Sequence, residues 1–166
     1  YAIINVAVNV TELITARKIA ESAEDEYRNF ANAMPHMVWS AGPTGKLDYG
    51  NANLLRLLNL TIDEIDKFDF TKIVHPDDLP SVAKVWRDIS EDPKQFELEY
   101  RMFDREKNEY IWYLTTGTPF FKDGEFCKWI GTSTDITEFK NLVKQKDTFL
   151  GIASHELKTP LTSLKL

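Results

Sequence analysis

Hydrophobic residues follow a helical period near both ends of the chain. Between residues 11 and 34, apolar side chains recur every three or four positions with charged residues between them, which predicts an amphipathic helix. Pro35 should end this helix because proline cannot continue the backbone hydrogen bonding. A second stripe of the same kind runs from Phe139 to Leu164. Both patterns are coiled-coil-like. The alternative for the first stripe is that it packs on the domain that follows it.

The middle of the chain alternates between apolar and polar residues, as β-strands do. The pattern is cleanest from Phe96 to Met102. The strands are predicted over residues 37–41, 46–51, 96–102, 109–116 and 126–136, and the helices over 53–60, 61–68 and 79–90. Two strands, then helices, then three strands are typical of an α+β fold, with one antiparallel sheet and helices on one face.

A repeated passage suggests how the chain is divided. Residues 4–13 and 130–139 both read as a strand that ends in an Asx-hydrophobic-Thr-Glu turn and enters a helix, which is expected for tandem domains. Residues 1–10 are therefore predicted to be the last strand of a preceding domain; the alternative is a strand that pairs within the visible domain. A connector helix over 11–35, a globular domain over 36–136 and a linker with a truncated helix over 137–166 complete the division. We expect the chain to be a fragment, because Tyr1 falls within a strand and Leu166 within a helix.

Composition narrows the classes of function. With 166 residues, of which 43% are hydrophobic, the chain can bury one core. A net charge of −6 argues against a nucleic-acid or anionic-membrane partner. No apolar run reaches the roughly 18 residues of a membrane span, and Cys127 alone cannot form an internal disulfide or a cysteine zinc cluster. A cytoplasmic setting fits these features.

The last helix carries a candidate nucleophile. His155 falls away from the leucine stripe, as does Thr159 one turn later. A neutral imidazole can attack phosphorus, and Glu156 is placed to accept its proton or to orient the ring. A lone histidine on such a helix is more often an ordinary surface residue, so the assignment depends on its neighbours.

Those neighbours resemble a known family. The run His155-Glu-Leu-Lys-Thr-Pro-Leu161 resembles the phosphoacceptor box of sensor histidine kinases. The stretch Gly45–Asn53, the turn His75-Pro-Asp-Asp78 and the passage Trp129–Thr137, in this order, resemble a PAS domain of the sensory-box type. The resemblance implies a five-stranded antiparallel sheet in the order 2-1-5-4-3, with a ligand or regulatory pocket between sheet and helices.

The resemblance also implies a function. The intact protein would use Mg-ATP, bound in a separate kinase domain that is absent here, to phosphorylate His155, and would then pass the phosphoryl group to an aspartate of a response-regulator receiver domain. Thr159 would affect the reverse, phosphatase reaction, and Pro160 would bend the helix. A homodimer joined through the helices is expected. The alternatives are a PAS dimerisation or interaction module, and a small-molecule receptor without phosphotransfer.

The domain itself offers no identifiable metal or cofactor site. Cys127 lies on the last strand rather than on the helix that carries the reactive cysteine of flavin-binding relatives. The helix over 79–90 has no histidine for a haem. His75 is expected to shape its turn, and His36 to lie in a linker. The aromatic residues are expected mainly in the core and are also the pocket candidates: Trp39, Trp86, Tyr100, Trp112 and Trp129. They do not specify a ligand.

Overall fold

The computed structural model describes the backbone of residues 10–163 and the side chains of residues 10–153. The chain forms a short N-terminal unit that ends at Pro35 and a larger unit that begins at His36. The strand predicted over residues 1–10 lies outside the described residues, except for Val10, which begins a helix.

Helix α1, Val10–Ala33, makes up the described part of the N-terminal unit. It agrees with the helix predicted over residues 11–34. Its apolar side chains are exposed, Tyr27 to 77% and Phe30 to 66%. The helix has two exposed ion pairs, each between residues one turn apart, such as Arg17–Glu21 at 2.7 Å. Each pair adds only a few tenths of a kcal/mol to the stability of the helix. Its role as a connector stays a prediction.

The larger unit is an α+β fold built on one antiparallel sheet of five strands in the order β2-β1-β5-β4-β3. This confirms the predicted fold class and the strand order implied by the resemblance. The elements are β1 Met37–Ala41, β2 Leu47–Gly50, α2 Ala52–Leu58, two short 3₁₀ helices Ile62–Lys67 and Phe70–Lys72, α3 Leu79–Glu91, β3 Phe96–Asp104, β4 Glu109–Lys122, β5 Glu125–Asp135 and α4 Thr137–Ser163.

Strand β4 is longer than the sequence predicted. The predicted strand covers residues 109–116 and is followed by a glycine and a proline, which are residues that weaken isolated strands. In the structure β5 pairs with β4 as far as Lys122. The tight turn between them has positive φ angles at Asp123 (52°) and Gly124 (85°), the conformation that Asp-Gly favours in hairpins.

The core lies between one face of the sheet and the helices α2 and α3. Side chains alternate along each strand, so that every second residue reaches this face. The strands contribute Met37, Trp39, Phe96, Tyr100, Met102, Ile111, Tyr113 and Trp129, and the helical segments contribute Leu54, Leu57, Leu58, Ile65, Val82 and Ile89. Trp129 is completely buried.

Asn51 ties β1 to α2 from within this core. Its side-chain oxygen accepts hydrogen bonds from the backbone N–H of Val38 (3.1 Å) and of Leu54 (3.2 Å), and its amide donates to the carbonyl of His36 (3.0 Å). The bond to Leu54 caps α2. His36 therefore contributes its backbone carbonyl to the start of the domain.

Two glycines face each other across the centre of the sheet. Gly117 and Gly131 are paired between β4 and β5. A Cβ on Gly131 would lie 2.3 Å from the Thr116 carbonyl oxygen and 2.3 Å from the Trp39 ring, and one on Gly117 would lie 2.3 Å from the Phe96 ring. The two glycines therefore provide the space that the Trp39 and Phe96 rings occupy against the sheet.

Helix α4 leaves the domain from the end of β5. Residues 141–152 are exposed along their whole length, including the apolar side chains of Phe149 and Ile152. Within residues 10–163, no helix combines the length and the apolar character that crossing a membrane requires.

We expect Gly131→Ala to destabilise the domain by about 3 kcal/mol, because the added methyl group would meet a backbone oxygen that cannot move without breaking the sheet. Urea unfolding followed by tryptophan fluorescence measures the change. The control is Gly42→Ala, where the nearest atom to a new Cβ is 3.9 Å away and the change should stay within about 1 kcal/mol. Equal stability of the two variants would contradict the packing argument.

Candidate functional site

A cavity of about 510 Å³ lies between the sheet and α3. This volume is in the range of small-molecule binding sites. Its lining is mainly apolar and includes Leu79 and Val82 from α3 and Leu98 and Met102 from β3. The position agrees with the pocket that the resemblance implied.

Three aromatic rings form one wall of the cavity. Trp39 comes from β1, Trp86 from α3 and Phe96 from the first residue of β3. Their ring centroids are 6.4 Å apart for Trp39–Trp86, 6.3 Å for Trp39–Phe96 and 5.6 Å for Trp86–Phe96, within the usual range of aromatic contacts. The wall therefore joins the sheet to α3 through ring contacts.

Three hydroxyl groups form a polar patch in the same cavity. Tyr100, Thr115 and Ser133 come from the adjacent strands β3, β4 and β5 and are each 4% exposed. Thr115 Oγ1 lies 3.2 Å from the Tyr100 hydroxyl and 2.8 Å from Ser133 Oγ, so the three are hydrogen-bonded in a row. Burial raises the pKa of the Tyr100 phenol well above its ordinary value, so the patch is uncharged.

The charged residues that line the cavity are at its mouth. Lys46, Asp69 and Arg87 belong to the lining and all three are exposed. Water therefore screens their charges, while the deeper surface of the cavity carries rings, aliphatic side chains and hydroxyls.

The structure brings three of the five pocket candidates together and separates the other two. Trp39, Trp86 and Tyr100 line the cavity. Trp129 lies next to the wall, with its ring 6.3 Å from that of Trp86, and is covered completely. Trp112 does not line the cavity, because it alternates with the inward-facing Ile111 and Tyr113 and so lies on the other face of the sheet.

Trp112 instead holds the beginning of α4. Its backbone N–H donates to Thr137 Oγ1 (3.1 Å), and its carbonyl accepts from the N–H of Ile136 (2.9 Å). Lys140 Nζ lies 5.0 Å from the centre of the Trp112 ring, a cation–π distance, and also forms an ion pair with Glu99 on β3. The first turn of α4 is therefore fixed to β4 and β3.

Arg101 connects the same tryptophan to the turn before α3. The guanidinium carbon of Arg101 lies 5.1 Å from the Trp112 ring, and the two residues are paired between β3 and β4. The Asp78 carboxylate accepts hydrogen bonds from the backbone N–H, Nε and Nη2 of Arg101 at 2.8–2.9 Å. These hydrogen bonds hold the pKa of the Asp78 carboxyl below its ordinary value, although partial burial opposes them.

The sequence predicted Asp78 as the cap of α3 and did not predict its bond to Arg101. Asp78 occupies the N-cap position, but its carboxylate makes no capping hydrogen bond. The pairing of Asp78 with Arg101 depends on how β3 packs beside the turn in the tertiary fold, so no local sequence pattern indicated it. The alternation of β3 does place Arg101 on the face opposite to Tyr100, which was the one available clue.

His75 belongs to the same turn and shapes it, as expected. Its Nδ1 accepts from the Asp77 N–H (3.2 Å), and its ring lies edge-on to Tyr110 with centroids 4.5 Å apart. Its carbonyl accepts from the backbone N–H groups of Asp78, the N-cap residue, and of Leu79, the first residue of α3. Among the described side chains, no three His, Cys, Asp or Glu residues are grouped to hold a metal ion.

The proposed nucleophile lies along α4. The backbone of His155, Glu156, Thr159 and Pro160 is within the helix Thr137–Ser163, and their side chains lie outside the described residues. At 1.5 Å per residue, His155 follows Thr137 by about 27 Å along the helix axis. Helical backbone therefore links the residue that contacts Trp112 to the residue predicted to accept phosphate.

Comparison with known proteins identifies the fold. The family model that describes the PAS fold matches residues 48–133, which contain most of the cavity lining. The chain belongs to the PAS fold family. A solved PAS domain of an HTR-like protein from Haloarcula marismortui superposes with a TM-score of 0.59 over 74% of this chain and 98% of that one, at 16% identity. At that identity the likeness shows the fold alone.

Curated relatives link this PAS domain to histidine kinases. The uncharacterized protein y4lL of Sinorhizobium fredii is 28% identical over 141 residues, which cover 82% of this chain and 17% of that protein. The peroxide stress-activated histidine kinase mak2 of Schizosaccharomyces pombe is 27% identical over 152 residues, which cover 86% of this chain and 6% of that protein. The chain thus spans a small part of these relatives and is a PAS sensory domain with distant homology to histidine kinases.

We expect Asp78→Asn to lower the free energy of unfolding by about 1–3 kcal/mol at pH 7, because it replaces the charged carboxylate that accepts three hydrogen bonds from Arg101. A carboxyl with a lowered folded-state pKa stabilises the fold above its unfolded-state pKa of about 3.9 and loses this effect as pH falls through the folded value. Urea unfolding from pH 7 to pH 3 should therefore show the difference between native chain and variant shrinking below about pH 4.

The matched control is Asp77→Asn. This neighbouring carboxylate is 74% exposed and approaches Arg101 only at 3.5 Å, so its removal should change stability by less than about 0.5 kcal/mol at any pH. If both variants behaved alike, the Asp78–Arg101 pair would not be the stabilising contact.

Proposed function

We propose that this chain is the sensory and phosphoacceptor segment of a two-component sensor histidine kinase. In this proposal the PAS cavity receives the signal, α4 carries it, and His155 accepts the phosphoryl group. The main support is the continuous helix that begins at the Trp112 contact and contains the His-Glu-Leu-Lys-Thr-Pro-Leu sequence. The homology to proteins named histidine kinases supports the same assignment.

The chemistry would proceed in two transfers. A nitrogen of the neutral His155 imidazole attacks the γ-phosphorus of Mg-ATP, which a separate kinase domain holds; a P–N bond forms while the P–O bond to ADP breaks. Glu156 takes up the imidazole proton or orients the ring. The phosphoryl group then passes to an aspartate of a response-regulator receiver domain. Thr159, one turn after His155, would act in the reverse phosphatase reaction, and Pro160 would bend the helix.

We further propose that the protein works as a homodimer joined through its helices. Phe139, Leu142 and Phe149 of α4 are 57–69% exposed, and apolar stripes of this kind are typical of helices that pair. Helix α1 would serve as the connector over residues 11–35, and residues 1–10 would end a preceding domain. A cytoplasmic location belongs to the same proposal.

A second candidate function is a small-molecule receptor that does not transfer phosphate. The observation that favours it is the cavity with its ring wall and its hydroxyl patch. In that case ligand binding would alter association through the helices, and His155 would be a surface residue. The two functions differ in whether His155 becomes phosphorylated.

We expect the full-length protein, incubated with Mg-ATP, to form an acid-labile and base-stable phosphoramidate, and His155→Gln to abolish it because glutamine has no nucleophilic nitrogen. Glu156→Gln should slow the reaction by about 10²-fold. Radiolabel transfer from ATP measures both rates. His36→Gln is the control and should react at the normal rate, since His36 contributes its backbone carbonyl to the fold. Undiminished labelling of the His155 variant would exclude the phosphoacceptor assignment and favour the receptor.

We also expect kinase output to depend periodically on the length of α4. Deleting Asn141 would rotate His155 by about 100° relative to the PAS domain, while deleting residues 141–147 would nearly restore its phase. These residues are exposed, so their removal spares the core. Autophosphorylation should fall most for deletions of one, two or five residues, recover in part at three or four, and recover most fully at seven. A flat series, or one that declines steadily, would mean that the helix is only a tether.

A further inference from the structure

We propose that the cavity binds a small, neutral, mainly aromatic molecule that carries one hydrogen-bond acceptor, and that the hydroxyls of Tyr100, Thr115 and Ser133 recognise this acceptor. The inference rests on the proposed sensory role of the domain and names the chemistry of its ligand. It concerns binding to the chain itself and needs no phosphotransfer.

The shape and lining of the cavity select a ring. Its volume of about 510 Å³ suits a molecule of one or two fused rings with room to spare. The rings of Trp39, Trp86 and Phe96 contact one another and are all part of the lining. Aromatic walls favour aromatic ligands, because offset and edge-to-face contacts add to the burial of apolar surface.

Among the described residues, the deep part of the cavity has no charged lining residue that could balance an ionised ligand. The charged lining residues Lys46, Asp69 and Arg87 are exposed at the mouth. An ionised ligand placed against the hydroxyl patch would lose its water without gaining a buried counter-charge, which is strongly unfavourable. The ligand is therefore neutral at the end that enters.

A count of protons shows that the patch can donate one hydrogen bond to an acceptor on the ligand. The three hydroxyls of the patch have three protons, and the two hydrogen bonds between them use two. One proton remains for a partner outside the row. Since the Tyr100 phenol stays neutral, it contributes a proton rather than a negative charge. A carbonyl oxygen or a ring nitrogen on the ligand would accept the remaining proton.

Three probes of nearly equal shape test this chemistry with the chain as it is. They are 2-acetylnaphthalene, which has a neutral acceptor, 2-isopropylnaphthalene, which has none, and 2-naphthoate, which is charged. Binding is measured by isothermal titration calorimetry at pH 7. We expect the ketone to bind about 3- to 10-fold more tightly than the hydrocarbon, and the carboxylate to bind at least about 100-fold more weakly than the ketone.

Variants then locate the acceptor site. Replacing all three hydroxyls, by Tyr100→Phe, Thr115→Val and Ser133→Ala together, should make the ketone and the hydrocarbon bind equally, because no proton is left to donate. The matched control is Thr116→Val with Thr132→Val, which removes a hydroxyl pair 3.1 Å apart on the same strands but on the other face of the sheet. This control should keep the preference for the ketone.

A further variant tests whether the probes enter the cavity. Val82→Phe places a ring into the space beside α3 and should weaken the binding of both neutral probes at least 10-fold. If the Val82 variant does not fold, Ala83→Phe, on the exposed side of the lining, is used in its place. The proposal is overturned if the carboxylate binds best, if the native chain binds ketone and hydrocarbon equally, or if none of the probes binds at 1 mM. Phosphorylation of His155 is measured separately without ligand, so failure here leaves the kinase assignment intact.

Discussion

The cavity depends on two glycines that pair across the centre of the sheet. A Cβ at Gly117 would lie 2.3 Å from the Phe96 ring, and one at Gly131 would lie 2.3 Å from both the Trp39 ring and the Thr116 carbonyl oxygen, so either would displace a ring from the sheet. Because the glycines leave this surface bare, the rings lie against the sheet and meet Trp86 from α3. The aromatic wall of the site therefore depends on the two glycines as much as on the aromatic residues themselves.

The alternation of side chains then gives the two faces of the same strands different tasks. On β3, Tyr100 lines the cavity, while the next residue, Arg101, binds Asp78 and approaches Trp112 on the other face. On β4, Thr115 lies in the cavity, and Trp112 fixes the start of α4 three residues earlier. A ligand that contacts Tyr100 would therefore touch the sequence neighbour of Glu99 and Arg101, and one that contacts Thr115 would be three residues from Trp112. Under the proposed function, β3 and β4 would carry the signal from the cavity to α4.

The sequence predicted what short-range periodicity determines. The alternation from Phe96 to Met102 predicted β3, and the helices at residues 11–34 and 79–90 were found within a residue or so of their predicted ends. Pairing between distant residues escaped prediction: β4 runs past Gly117 because β5 supports it, and Asp78 binds Arg101 instead of capping α3. The cavity was only partly foreseen. Composition marked the tryptophans as candidates, but only the strand register separates Trp39 from Trp112, and hydroxyls such as Thr115 gave no signal.

The energies involved limit how such a sensor can work. One neutral hydrogen bond from the hydroxyl patch provides about 0.5–1.5 kcal/mol, far less than the roughly 5.5 kcal/mol needed to move an equilibrium from 1:99 to 99:1. A full switch therefore requires the ligand to distinguish two conformations through the ring wall as well, where burial of aromatic surface contributes more. The contacts that fix the first turn of α4 are a part-buried hydrogen bond to Thr137, a cation–π contact and a partly exposed ion pair, and each contributes little by itself. Under the proposed function, the ligand's differential contacts with the ring wall would therefore have to supply most of the free energy that changes how α4 presents His155.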